Sequence, residues 1–146
     1  MDFDVDDAAT LMALLDEKRP RRVTQSLLSG WDMLQTDLPS RERIESATAV
    51  LVGTGLATVD EDWGMLLTAE GARIRRAVPG RGLGMRQIPG ILGAQLRARG
   101  VARADLTLPA ALYDAAYSAY MEAAAHREER AYRRHWWETW KPRRQR

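Results

Sequence analysis

Apolar residues along this chain recur mostly at helical spacing. Leu11, Met12, Leu14 and Leu15 form the apolar side of a first helix over Ala8 to Lys18, capped by Asp6 or Asp7 and ended at Pro20. Val23, Leu27, Trp31 and Leu34 follow at spacings of four, four and three, which predicts a second helix from about Arg22 to Gln35. Gly30 weakens it by about 1 kcal/mol relative to alanine. After the turn Thr36-Asp37-Leu38-Pro39, Ser40 caps a third helix running through Thr54, with Ile44, Ala47, Thr48 and Leu51 on one side. Gly55-Leu56 supplies its left-handed C-cap and the hydrophobic contact that follows.

Beyond Gly55 the period shortens. Leu56-Ala57-Thr58-Val59 reads as a strand, Asp60 to Gly64 as a turn, and Met65 to Thr68 as the returning strand. Two strands are marginal in water, so the hairpin must pack on the helices beside it. Thr68 then caps a helix over Ala69 to Val78, closed by Pro79-Gly80. Arg81-Gly82-Leu83-Gly84 is the expected hinge, Pro89 to Arg99 a short helix stopped by Gly100, and Thr107-Leu108-Pro109 the start of a helix with no breaker before Pro142. At ~1.5 Å per residue such a helix is about 50 Å long, so it must wrap, break or project. Four segments result: an acidic N-terminal helix at 1–21, a compact unit at 22–78, a hinge with a short helix at 79–108, and a long aromatic and basic helix with its tail at 109–146.

Composition narrows the chemistry. With 146 residues and 45% hydrophobic content the chain is long enough for a core without staples, and it contains no cysteine. Thiol catalysis and cysteine-ligated zinc are thereby excluded, and two histidines leave little for metal or general-base work. Glu122, His126 and Glu129 share one helix face, a pattern better explained as a solvated surface than as a metal site. Gly80 to Gly84 lacks the preceding strand and the spacing of a phosphate loop. We expect no catalytic residue, metal or cofactor. No run reaches the ~18 apolar residues of a membrane span, and the acidic start is unlike a signal peptide, so a cytoplasmic protein is expected.

Charge is distributed unevenly behind the formal +2. Met1 to Glu17 holds six acids and no base, Gly71 to Asp105 eight arginines and one acid, and Arg127 to the end eight bases against three acids. Lys18 and Lys141 are the only lysines, so the positive charge is almost all guanidinium, suited to phosphate, carboxylate and aromatic faces. Arg73, Arg75 and Arg76, with Arg81, Arg86, Arg97, Arg99 and Arg103 following, read as phosphate contacts, or else as a solvated face or a dock for the acidic N-terminus of the same chain or a neighbour.

The run from Ser40 to Ile74 resembles the second half of a winged helix-turn-helix domain. The marks are the capped helix ending in Gly55-Leu56, the two-stranded wing, and Leu67-Thr68-Ala69-Glu70-Gly71 opening the next helix. Together with Leu112 to Tyr120, it is also similar to short actinobacterial proteins carrying a winged-helix segment. The resemblance implies a mainly helical fold with a small β-hairpin and a role in DNA binding or transcription regulation, in which the helix before the wing enters the major groove. Two features depart from it. Asp60, Glu61 and Asp62 at the wing tip repel phosphate, and Glu42 and Glu45 offset Arg41 and Arg43 on the helix before the wing. Winged helices also serve as protein-binding modules.

The last helix offers the other candidate surface. Tyr132, Trp136 and Trp140 lie at i, i+4 and i+8 among Arg130, Arg133 and Arg134, a pattern suited to packing, to a protein partner or to nucleic-acid stacking. Ala115, Ala119 and Ala123 recur every four residues and permit a close helix pair, hence a homodimer through this helix. The expected function is a non-enzymatic nucleic-acid-binding or transcription-associated protein. Its phosphate contacts are Arg73, Arg75, Arg76, Arg130, Arg133 and Arg134, and its partner contacts Tyr132, Trp136 and Trp140. The competing expectation is a protein-interaction adaptor that keeps the fold and binds no DNA. The Asp60 to Trp63 turn is expected to be an exposed tip.

Overall fold

The computed structural model describes residues 3–78 and 84–139. It is mainly helical, with helices α1 (Phe3–Leu14), α2 (Gln25–Gln35), α3 (Arg41–Gly53), α4 (Ala69–Ala77), α5 (Ile88–Arg99) and α6 (Ala110–Thr139). Strands β1 (Arg21–Arg22), β2 (Ala57–Val59) and β3 (Gly64–Leu67) form one antiparallel sheet in the order β1-β3-β2, with Arg21 opposite Met65 and Val59 opposite Met65 on the other side. The expected hairpin is therefore present, and β1 adds a third strand that the two-residue pair Arg21-Arg22 was too short to announce.

α1 is the centre of the molecule and differs from its expected span of Ala8 to Lys18. It begins at Phe3, because Asp6 and Asp7 are not caps but ion-pair partners of Arg97 and Arg43. It ends at Leu14, where the Asp16 carbonyl accepts from the Leu67 N–H and Arg21 and Arg75 donate to the Leu14 and Ala13 carbonyls. Ala8, Ala9, Leu11 and Met12 are fully buried and Thr10 nearly so, the pattern of a helix enclosed on all sides. Gln35 donates to the Thr10 hydroxyl, which itself donates to the Asp6 carbonyl, so the one buried hydroxyl of this helix is satisfied.

α3 begins and ends as its sequence predicts. The Ser40 hydroxyl accepts from the Arg43 N–H. At the other end the Leu56 N–H reaches the Leu51 carbonyl and the Gly55 N–H the Val52 carbonyl, with Gly55 at φ 80° and Leu51 and Leu56 buried together. Thr68 caps α4 by accepting from Gly71, and the Leu56 carbonyl lies 2.1 Å from where a Gly71 side chain would begin. That approach requires glycine.

The hairpin turn departs from expectation at one residue. Asp60, Glu61 and Asp62 are exposed, but Trp63 is 6% exposed and belongs to the core, held in a left-handed conformation at φ 59°. The Asp60 carboxylate fixes this turn by accepting from the Asp62 and Gly64 N–H groups. α5 packs on α1 through Leu92 and Leu96, and Leu108, Ala116 and Tyr120 join the same buried cluster. Of the expected hinge Arg81-Gly82-Leu83-Gly84 only Gly84 is described, and the Pro79-Gly80 stop lies outside the described residues.

Candidate functional site

One side of α3, the helix before the hairpin, is covered by the chain itself. Residues 101–109, between α5 and α6, run antiparallel along the stripe Arg41, Glu45, Ala49 and Gly53. At one end Ala102 exchanges hydrogen bonds with the Thr54 hydroxyl. In the middle the Ala104 N–H donates to the Ala49 carbonyl at 2.9 Å. At the other end Glu45 accepts from the Leu108 N–H at 2.7 Å and Arg41 donates to the Leu108 carbonyl at 2.9 Å, with Leu108 fully buried. Arg41 and one carboxylate oxygen of Glu45 are thus engaged by this strap, by each other and by Glu42.

Three of the six arginines expected to meet phosphate, Arg73, Arg75 and Arg76, make contacts within the fold. Arg73 donates to Glu70 and Arg76 to Glu17, at 2.7 and 2.8 Å. Arg75 reaches the Ala13 carbonyl. Acids of α1 take up others: Asp4 pairs with Arg103, Asp6 with Arg97, and Asp7 with Arg43. The acidic N-terminus therefore docks on the arginine clusters, one of the alternatives open in the sequence. Arg43 forms a fork on Asp7, with Nε to Oδ2 at 3.1 Å and Nη2 to Oδ1 at 2.9 Å, and a further bond to Asp37. These carboxylates raise its already high pKa against the opposing effect of burial, the hydrogen bond to Asp7 being the largest influence. Arg99 and Arg73 together hold the exposed Glu70 carboxyl below its ordinary value through hydrogen bonds.

α6 is the element with surface to spare. Its first half docks on α2: Ala116 and Tyr120 are buried, the Tyr120 hydroxyl donates to Asp32 at 2.6 Å, and the Tyr113 hydroxyl donates to the Pro39 carbonyl. The bond to Asp32 raises the Tyr120 pKa, and burial adds to the shift. Ala115 and Ala119 point outward, and every residue from Ala125 to Arg133 is exposed. At ~1.5 Å per residue the helix is about 45 Å long, and its second half projects beyond the body.

Arg130 and Arg133 lie on that projecting half, where Tyr132 is 74% exposed. Arg134 and Trp136 are in the helix, but their side chains lie outside the described residues, as does all of Trp140.

The charge division follows the same boundary. Residues 1–126 carry 14 bases against 17 acids, so the whole positive excess of the chain resides from Arg127 onward. Among the described residues no three His, Asp or Glu side chains converge as metal ligands, and no helix is long and apolar enough to cross a membrane. Comparisons with protein-family models, curated proteins and solved structures gave no match to this chain.

Proposed function

We propose that the chain is a non-enzymatic protein-interaction module on a winged-helix scaffold, which presents α6 to its partner and keeps α3 closed. The scaffold reading rests on two successive helices, α2 and α3, followed by the β2–β3 hairpin and α4, with the cap and wing residues of the sequence resemblance in those places. The observation that carries the functional reading is the strap along α3. A helix whose Arg41 and Glu45 bind residues 101–109 has that side covered by its own chain, and the acidic wing tip beside it disfavours phosphate. The projecting half of α6 is instead exposed, with the Tyr132 ring 74% exposed, and is free for a partner to meet.

A second reading is favoured by Arg127, Arg130, Arg133 and Tyr132 on that same half, continued in the sequence by the basic tail. Sequence-tolerant nucleic-acid binding through α6 uses these residues for phosphate and stacking. Anisotropy of a labelled duplex titrated with the full chain from 50 to 200 mM salt separates the readings, those concentrations being roughly the range over which phosphate contacts weaken most visibly. The adaptor reading expects weak binding whose salt slope is unchanged by Arg73→Ala, Arg75→Ala and Arg76→Ala together. Loss of up to about three units of slope in that triple variant overturns it. A slope abolished by the corresponding changes at Arg127, Arg130 and Arg133 establishes the second reading.

A further inference from the structure

A cleft of about 500 Å³ opens between the end of α1, Arg21 of β1, the side of α2 from Ser26 to Met33, Arg75 of α4 and Met85. Eight arginines of the body donate to carboxylates: Arg22, Arg41, Arg43, Arg73, Arg76, Arg97, Arg99 and Arg103. Arg21 and Arg75, both in the wall of this cleft, have no carboxylate partner among the described residues. Each gives one N–H to a carbonyl, Arg21 to Leu14 at 3.0 Å and Arg75 to Ala13 at 3.5 Å. Because those carbonyls are consecutive on α1, the two guanidinium groups are gathered at one place. A guanidinium has five N–H donors, so each retains several for a ligand.

The rest of the lining mixes the Ser26 and Ser29 hydroxyls with apolar side chains. Met33 and Met85 are 55% and 52% exposed, unusual for large thioethers, which adapt readily to an apolar guest. Gly30 keeps the floor of the cleft bare: a Cβ there would sit 2.9 Å from Leu14 Cδ2. Asp16 adds a single carboxylate to the lining, leaving the two guanidiniums in excess. The volume is that of small-ligand sites.

We propose that this cleft binds a small amphipathic carboxylate, its acid group held by Arg21 and Arg75 and its apolar body against Met33 and Met85. The site is independent of the α6 surface and of the partner that α6 engages.

Decanoate and its neutral analogue decanamide, titrated separately into the isotope-labelled full chain, provide the test by amide NMR. Decanoate is expected to give saturable shifts at Ala13 to Asp16 and Ser26 to Met33, and decanamide to bind about tenfold more weakly or worse, as loss of charge-assisted hydrogen bonds requires. Arg21→Gln with Arg75→Gln, which keeps donors for the α1 carbonyls, should reduce decanoate to the level of the amide. Equal affinities of acid and amide for the unaltered chain overturn the proposal, whatever the variant does. So do shifts centred elsewhere, or no saturable shift by about 5 mM, weaker than the affinity expected of a built site.

Discussion

Replacing Gly53 with alanine tests the strap by the sign of its effect. In an ordinary helix the change stabilises by up to about 1 kcal/mol, and less at the last turn where Gly53 sits. Here the new Cβ would lie 2.5 Å from the Ala102 carbonyl oxygen, 2.6 Å from the Ala104 nitrogen and 2.6 Å from the Arg103 carbonyl carbon. All three are backbone atoms, so no side-chain rotation relieves the overlap. To restore ordinary contact at 3.4 Å the strap must move by roughly 0.9 Å, which strains the Ala104 bond to Ala49 and the Ala102 bond to Thr54. At about 1 kcal/mol per hydrogen bond, set against the propensity gain, the variant should lose about 1–2 kcal/mol. Urea unfolding followed by circular dichroism measures the total. Amide exchange at Ala102 and Ala104 localises it, because the strap can lift while the body remains folded. A variant as stable as the parent, with both amides equally protected, would refute the closure of α3.

Three further expectations follow from the same contacts. Gly71→Ala should cost about 3 kcal/mol or more in urea unfolding, since the Leu56 carbonyl at 2.1 Å must be displaced and the Thr68 cap goes with it; a loss under about 1 kcal/mol would contradict the packing. Asp7→Asn should cost about 2 kcal/mol, between the values for exposed and fully buried pairs because Asp7 is nearly buried and Arg43 half exposed, and a double-mutant cycle with Arg43→Gln should recover most of that as coupling energy. The Tyr120 pKa is raised in the fold, so its stabilisation is complete below the free tyrosine value of 10.0 and is lost as pH rises through the folded value; Tyr120→Phe should flatten the alkaline limb of a thermal-stability profile, and an unaltered limb would count against the Asp32 bond.

The caps and periodic faces were the legible part of the sequence. Ser40, Gly55 and Thr68 act within a few residues of themselves, so local pattern located α3, the hairpin and α4 closely. α1 was misplaced because Asp6 and Asp7 look like caps to their neighbours, whereas their partners Arg97 and Arg43 are 91 and 36 residues away. Trp63 was assigned to the exposed tip because the three acids before it dominate the turn, while its burial depends on a left-handed backbone that local spacing does not disclose. The candidate phosphate contacts illustrate the same limit. Arg73 and Arg76 form a strong charge cluster in sequence, and only the folded chain brings Glu70 and Glu17 against them. Most of the strap had no sequence mark, since Val101 to Asp105 has neither periodicity nor a cap, and its backbone is held along α3 by Ala49, Thr54, Glu45 and Arg41, which local pattern does not connect to it.

Hydrogen exchange of the intact chain, with and without duplex DNA at low salt, tests the closed α3 most directly. The Ala102, Ala104 and Leu108 amides should keep their protection when DNA is added, and any protection gained should fall from Ala125 onward. Loss of protection along 101–109 accompanied by a gain across Arg41 to Val52 would mean that the strap yields to DNA and α3 enters the groove, contradicting the account.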